Sequence, residues 1–355
     1  MADEAAMPKE AMLYEKLTGQ NSGKVLCRLC MRYCIIGEGE RGYCLVRRNV
    51  GGKLYSLNYG KSSGFEVDPI EKKPFFHFKP GTQVLSFGTP GCNFRCLNCQ
   101  NWMLSQGVRE AGPTALDIPS TLPKKVVDMA VAERCDGIAY TYSEPTIFFE
   151  YAHDCVKEAR ERAPNLFHVF VSNGYFSREM LDLVVKEKML DAIRIDLKFI
   201  DDKKYEEVTG AHLLPVQQNI KRVYELKGKI HLEVIALIIP TLNDSDDDLR
   251  RLCQFVVGVG KDIPLHINAF FPQYKLSNLP PTPEKTLIRA HKIAKEEGLE
   301  HVYLGNARIP HAEDTICPQC GEVLIERSGF LVLKNKFVEK KPECTKCGKK
   351  INVIL

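Results

Sequence analysis

Gln83-Val-Leu-Ser-Phe-Gly-Thr-Pro-Gly-Cys92-Asn-Phe-Arg-Cys96-Leu-Asn-Cys99-Gln-Asn-Trp102 opens as an apolar strand and runs directly into a loop that carries three cysteines. Outward from it, toward Leu304, the pattern of strand then helix repeats. Six more strand-like runs follow: GIAYTY from 137, FHVFVS from 167, DAIRIDL from 191, IHLEVIALII from 230, PLHINAF from 264 and HVYLG from 301. Between them lie stretches such as PKKVVDMAVAERC, TIFFEYAHDCVKEARER and SREMLDLVVKEK, whose apolar residues recur at helical spacing. Pro123 marks one helix start, and Ser245 before DDDLRRLCQF marks another. Strands alternating with helices imply an α/β fold of parallel strands joined by crossover helices. Seven strand runs and six helical segments predict a partial (β/α)6-type TIM barrel rather than a complete eight-fold one.

This core is expected over 81–310, with a cysteine-rich module over 1–80 and a second small module over 311–355. The chain has 355 residues, 44% hydrophobic and 26% charged, with a formal charge of +4. That balance suits an ordinary globular protein and gives no indication of nucleic-acid binding. The N-terminal stretch lacks the apolar segment of a signal peptide, and no apolar run reaches membrane-spanning length. The expected location is the cytoplasm.

Fourteen cysteines dominate the composition. Clustered cysteines in a chain of this kind are better read as metal ligands than as disulfides. They form three groups: Cys27, Cys30, Cys34 and Cys44; Cys92, Cys96 and Cys99; Cys317, Cys320, Cys344 and Cys347. Cys135, Cys155 and Cys253 stand singly in helix-like sequence and read as small buried hydrophobes. The central C-x3-C-x2-C triad can ligate three irons of a [4Fe–4S] cluster and leave the fourth open. An open iron can chelate the amino and carboxylate groups of S-adenosylmethionine (SAM). A zinc site completed by a histidine is the alternative, though zinc knuckles favour paired cysteines.

With this loop the sequence resembles the radical SAM superfamily, and within it the branch of pyruvate formate-lyase activating enzymes. The resemblance implies that Cys92, Cys96 and Cys99 hold the catalytic cluster. It implies too that an external one-electron reductant drives cleavage of SAM to a 5′-deoxyadenosyl radical, which abstracts hydrogen from a substrate. It also implies SAM contacts for Glu144 in Ser143-Glu144-Pro145, Asn173 in Ser172-Asn173-Gly174, and Asp196 and Lys198 in Asp196-Leu197-Lys198. Each motif ends a successive strand, where active-site loops of such barrels sit. Ile239–Asp244 resembles an adenine-side turn. His266, beside Asn268 on the sixth strand, fits either a SAM-ribose contact or a core histidine. Two positions depart from the family pattern: Asn98 replaces an aromatic residue, and Val171 replaces an acidic one.

The C-terminal Cys317-Pro-Gln-Cys320 and Cys344-Thr-Lys-Cys347 pairs read as a zinc ribbon, with an auxiliary iron–sulfur cluster as the rival. The N-terminal C-x2-C-x3-C-x9-C admits zinc or an auxiliary [4Fe–4S] cluster equally. The stretches CRLCMRYCIIGEGERGYC, DPIEKKPFFHFKPG, GTPGCNFRCLNCQNW and CPQCG…CTKCG together resemble the AmmeMemoRadiSam-system radical SAM enzymes. That resemblance implies Memo-like and Ammecr-like partners. Asp68-Pro-Ile-Glu-Lys-Lys-Pro74 is dense in charge and reads as a solvated turn before the barrel, with an active-site lining as the rival. A protein glycine is the first substrate expectation; another protein, peptide or small molecule is the second. A non-catalytic iron–sulfur/zinc electron-transfer or scaffold protein is the rival of another class.

Overall fold

The computed structural model describes residues 8–337 and 341–355. Residues 1–7, part of the stretch read above for its lack of an apolar segment, lie outside the described residues. The chain forms two compact units: Met1–Val67 with Val84–Asp191, and Asp68–Gln83 with Ala192–Leu355.

In the first unit three strands run parallel: β1 (Gln83–Gly88), β2 (Gly137–Tyr140) and β3 (Phe167–Ser172). Their register sets Phe87, Tyr140 and Phe170 side by side. The neighbouring rings stand 5.4 and 5.3 Å apart in edge contacts that add directional packing to area burial. The longer helices are α1 (Pro123–Ala132), α2 (Phe149–Arg162) and α3 (Arg178–Lys186). Pro123 occupies the first turn of α1, and Ser177 caps α3 through the Met180 amide. Two small antiparallel sheets precede this core. One joins Tyr14–Lys16, Val25–Cys27 and Ile35–Ile36; the other joins Lys9–Glu10, Lys53–Ser56 and Arg47–Val50. The buried Arg47–Glu150 ion pair and a bridge from Cys30 to Phe176 fasten them to α2 and to the chain after β3.

The second unit continues the pattern with β4 (Ala192–Asp196), β5 (His231–Ile238), β6 (Leu265–Ala269) and β7 (Val302–Gly305), paired in parallel. The link from β4 to β5 holds two helices, α4 (Asp202–Thr209) and α5 (Leu213–Glu225); α6 (Asp246–Val259) and α7 (Glu284–Glu296) fill the next two links. Gly210 ends α4 in the left-handed region, at φ +67°, and lets the chain turn into α5. Ser245 caps α6 through the Asp248 amide, as its sequence suggests. The α/β expectation of parallel strands and crossover helices is met.

Three antiparallel strands, Thr315–Ile316, Val323–Ser328 and Leu331–Asn335, form the C-terminal module of this unit. Its small core gathers Cys317, Leu324, Cys344, Ile351 and Val353. The charged stretch at Asp68–Pro74 departs from the solvated turn expected of it. Asp68, Glu71 and Lys73 are all buried, with Lys73 Nζ 2.5 Å from Asp68 Oδ2 and Glu71 facing Arg327. Buried charge is tolerated because each group has an opposite partner, and those partners come from distant sequence in the case of Glu71. Cys135, Cys155 and Cys253 are buried. No helix among the described residues is long and apolar enough to cross a membrane.

Candidate metal and cofactor centre

The cysteine loop leaves the C-terminal end of β1. Gly91 enters it at φ +101°, and a Cβ there would lie 2.7 Å from Val46 Cγ1, so glycine is needed for both conformation and space. Cys96 is buried, and Cys92 and Cys99 are half-buried. Phe94 anchors the loop against Tyr175, with ring centroids 5.2 Å apart. Its amide donates to Cys92 Sγ at 3.3 Å, and Ser105 Oγ stands 3.0 Å from Cys99 Sγ. Burial pushes the Cys92 thiol well up, and the neighbouring Cys96 and Glu144 push it further. A thiolate here therefore requires a cation, which an iron–sulfur cluster supplies.

Glu144, at the end of the β2 loop, is 2% exposed and braces the same region. Its Oε1 accepts from Ser172 Oγ at 2.8 Å, Thr146 Oγ1 at 2.6 Å and the Thr146 amide at 3.1 Å. Its Oε2 accepts from the Asn173 amide at 2.7 Å. Burial raises its pKa while these donors pull it down, and burial wins. Asn173 in turn donates through Nδ2 to Asn93 Oδ1 at 2.8 Å, next to Cys92. The first unit thus brings Cys92, Cys96, Cys99, Glu144 and Asn173 into one region. Asn93 Nδ2, Asn98 Oδ1 and Ser143 Oγ are buried there without a partner. Such orphaned polar atoms beside three thiols suit a bound group with donors and acceptors of its own.

In the second unit Asp196 ends β4. Its carboxylate meets Lys198 Nζ at 2.7 Å and Arg194 Nη2 at 2.7 Å. Burial works to raise its pKa, but the two cations hold it below the usual carboxylate value. Asn243 ties the following turn to this strand end, donating to Lys198 O and Leu237 O at 2.9 Å each. Thr241 in that turn has φ +68°, a strained conformation for a β-branched residue, met by Asp244 Oδ1 accepting its amide. His266 has a different setting. It is the second residue of β6, 2% exposed, with Nε2 2.7 Å from Glu233 Oε2 and its ring against Phe76 and Tyr303. Its surroundings are those of a core histidine. Asn268 is fitted against Gly305, where a Cβ would lie 2.5 Å from Asn268 Oδ1.

Sequence reading passed over Arg194, Glu233 and Asn93. Arg194 was discoverable, since it shares a strand face with Asp196 two residues on. Asn93 and Glu233 had no local signal.

The outer cysteines differ from one another. Cys317, Cys320, Cys344 and Cys347 have Sγ atoms all within 4.8 Å, with the 317–347 and 320–344 pairs at 3.6 Å. Four thiolates around one zinc at Zn–S of about 2.3 Å stand about 3.8 Å apart, so the set fits a single tetrahedral ion. Cys27, Cys30, Cys34 and Cys44 line one pocket together with Arg32, Tyr43, Arg47 and Asn93.

A triad loop after the first strand, followed by strand-end motifs in sequence, is the arrangement of the radical SAM superfamily, whose family model matches residues 87–256. The chain belongs to that superfamily and has its α/β fold, a partial barrel-like parallel sheet. The family implies a [4Fe–4S] cluster and SAM. The uncharacterized protein MJ0808 of Methanocaldococcus jannaschii is 45% identical over 98% of this chain and 100% of its own length. A pyruvate formate-lyase-activating enzyme of Staphylococcus epidermidis is 23% identical over 62% of this chain and 91% of its own. Among solved structures, Streptococcus suis SuiB bound to precursor peptide SuiA aligns over 67% of this chain and 51% of that one, at 14% identity and a TM-score of 0.49.

Proposed function

We propose that the protein reductively cleaves SAM and uses the resulting 5′-deoxyadenosyl radical to take a hydrogen atom from a substrate. The observation that carries this reading is the three-thiol loop at the end of β1, braced by Glu144 and Asn173. Cys92, Cys96 and Cys99 hold the cluster, which, when bound, passes one electron from an external reductant to SAM. Glu144 fixes the Ser172–Asn173 turn beside the loop through the Ser172 hydroxyl and the Asn173 amide. We assign SAM contacts to Glu144, Asn173, Asp196 and Lys198, with Lys198 for the SAM carboxylate. His266 is left out, because its Nε2 is engaged with Glu233.

A protein glycine is the substrate we favour, supported by the match to activating enzymes over most of their length. Memo-like and Ammecr-like proteins, implied by the AmmeMemoRadiSam resemblance, are the first partners to test. The C-terminal thiols are assigned to zinc, on their compact spacing. Anaerobic protein supplied with SAM and a one-electron reductant should release 5′-deoxyadenosine, and Cys96→Ala should abolish it. Equal release by the variant would end this reading.

A further inference from the structure

We infer that Cys27, Cys30, Cys34 and Cys44 hold a second iron–sulfur cluster, ligated by four thiolates, rather than a zinc ion. Three cysteine sets in one chain allow an internal comparison. The C-terminal four are drawn within 4.8 Å of one another, as a single ion requires. Cys92, Cys96 and Cys99, which the family assigns to a cluster, are not gathered in that way among the described residues. In a cluster each thiolate binds a different iron at a separate corner, so the sulfurs stand farther apart than around one ion. The N-terminal four resemble the triad in this one respect: they face one pocket, yet no three of them form a group as compact as the C-terminal set.

A second observation points the same way. Arg47 is 1% exposed and lines this pocket. Its Nη2 is engaged by Glu150, but Nε and Nη1 have no partner. Buried N–H donors without acceptors are costly, about 1–3 kcal/mol each in general, and are rare in native structures. Bridging sulfides and cysteine sulfurs of a cluster offer several acceptors in one place, whereas a lone zinc offers none beyond its thiolates. The Tyr43 amide, 3.5 Å from Cys34 Sγ, already points to a ligand sulfur. The pocket is continuous with the catalytic loop: Arg32 lines it and donates to Asn93 O at 3.1 and 3.0 Å, one residue from Cys92. Because its four thiolates close the coordination, this cluster leaves no iron open for SAM and has a role separate from cleavage.

The test uses the full chain, isolated anaerobically from iron-replete cells. Cys92→Ala, Cys96→Ala and Cys99→Ala together remove the catalytic cluster and leave the N-terminal site untouched. That variant should retain about four irons and about four sulfides, with one zinc in the C-terminal module. Its Mössbauer spectrum should show a fully thiolate-ligated cluster. Adding Cys344→Ser and Cys347→Ser should remove the zinc and leave the iron; adding Cys30→Ser and Cys44→Ser instead should remove the iron and leave the zinc. Two zincs and no iron in the triad variant would overturn the inference, as would iron lost with the C-terminal pair. Should the Cys30/Cys44 variant fail to fold, the metal content of the triad variant still decides. SAM cleavage by the unmodified protein is measured separately, so failure of the proposed activity and failure of this site give different results.

Discussion

Two polar groups in the second unit lie on neighbouring strands of one sheet and are built in opposite ways. Asp196 and Lys198 stand at and just beyond the end of β4, with side chains 24% and 20% exposed. Glu233 and His266 stand near the starts of β5 and β6, with side chains 0% and 2% exposed. Register runs from Asp196 through Ile235 to His266 and Tyr303, while Glu233 lies opposite Arg194, two residues lower, so for His266 height in the sheet is not what separates them. Partners are. Glu233 accepts from the amides of Phe76 and His77 at 3.0 and 2.8 Å and from His266 and His231 at 2.7 and 3.2 Å. Its pKa is forced up by burial and then pulled well below the usual value by His231 and His266. It sews the 68–83 segment onto the strands. The Asp196 pair keeps contact with solvent and offers a cation and an anion at a strand's C-terminal end, where loops carry function in barrels of this kind.

The largest effect that could break this contrast is on stability. Glu233→Ala leaves two backbone amides and two histidines without an acceptor in a sealed site. Removing one member of such a buried charged network should cost about 3–5 kcal/mol, read as a lower urea midpoint. SAM affinity of the protein that remains folded should not change. A variant that keeps its midpoint but loses SAM would reverse the roles given to the two groups.

Lys198→Ala should do the converse. Loss of a charge-assisted contact to a carboxylate should weaken SAM binding by about 1.5–3 kcal/mol, roughly ten- to a hundred-fold. Stability should shift by no more than about 0.5 kcal/mol, because Lys198 is part-exposed and Asp196 retains Arg194. Calorimetric titration of SAM into the cluster-loaded variant, with urea unfolding alongside, separates the two readings. Unchanged SAM affinity would remove Lys198 from the cofactor site.

The open group was legible in sequence and the sealed one was not, and the reason is physical. Strand-to-helix alternation, the Pro123 and Ser245 starts and the cysteine spacings are local patterns, set by periodicity and by ligand geometry over a few residues. Glu233, by contrast, meets Phe76 and His77 across 157 and 156 positions. Glu71 meets Arg327 across still more of the chain. Nothing within a strand announces such a partner. Asp68–Pro74 therefore reads as solvated because its charges have no visible counterions, although the fold supplies them. The three cysteine sets show the same limit: spacing along the chain marks them as ligands, while compact or open spacing in space bears on which metal each takes.

The smallest effect separates the two groups by pH. His77 and His301 pack together beside the sealed network, ring centroids 4.5 Å apart. Burial pushes His301 down to about 4 and His77 well below its ordinary value. A histidine whose folded pKa is depressed is neutral in the folded chain, while the unfolded chain takes up a proton below about pH 6.5. The unfolded state then binds more protons, so stability falls as pH falls. For His301 the window runs from about 6.5 down to its folded value near 4, at about 1.4 kcal/mol per pH unit once well below 6.5. Asp196 acts in another range: its depressed carboxylate supports folding above about pH 4 and loses that support only below it. Between pH 6 and 5, roughly, acid should thus weaken the sealed group and spare the open one. His168 in the first unit, lowered to about 3 by burial, adds a slope of the same sign, so a single-protein profile cannot assign the effect. The difference between variants can. Unfolding free energy against pH for His301→Gln should have a slope shallower by about 1.2 kcal/mol per pH unit than that of the unmodified chain over this range. Identical slopes would mean that His301 already takes its proton in the folded state, and that this end of the network is open to water.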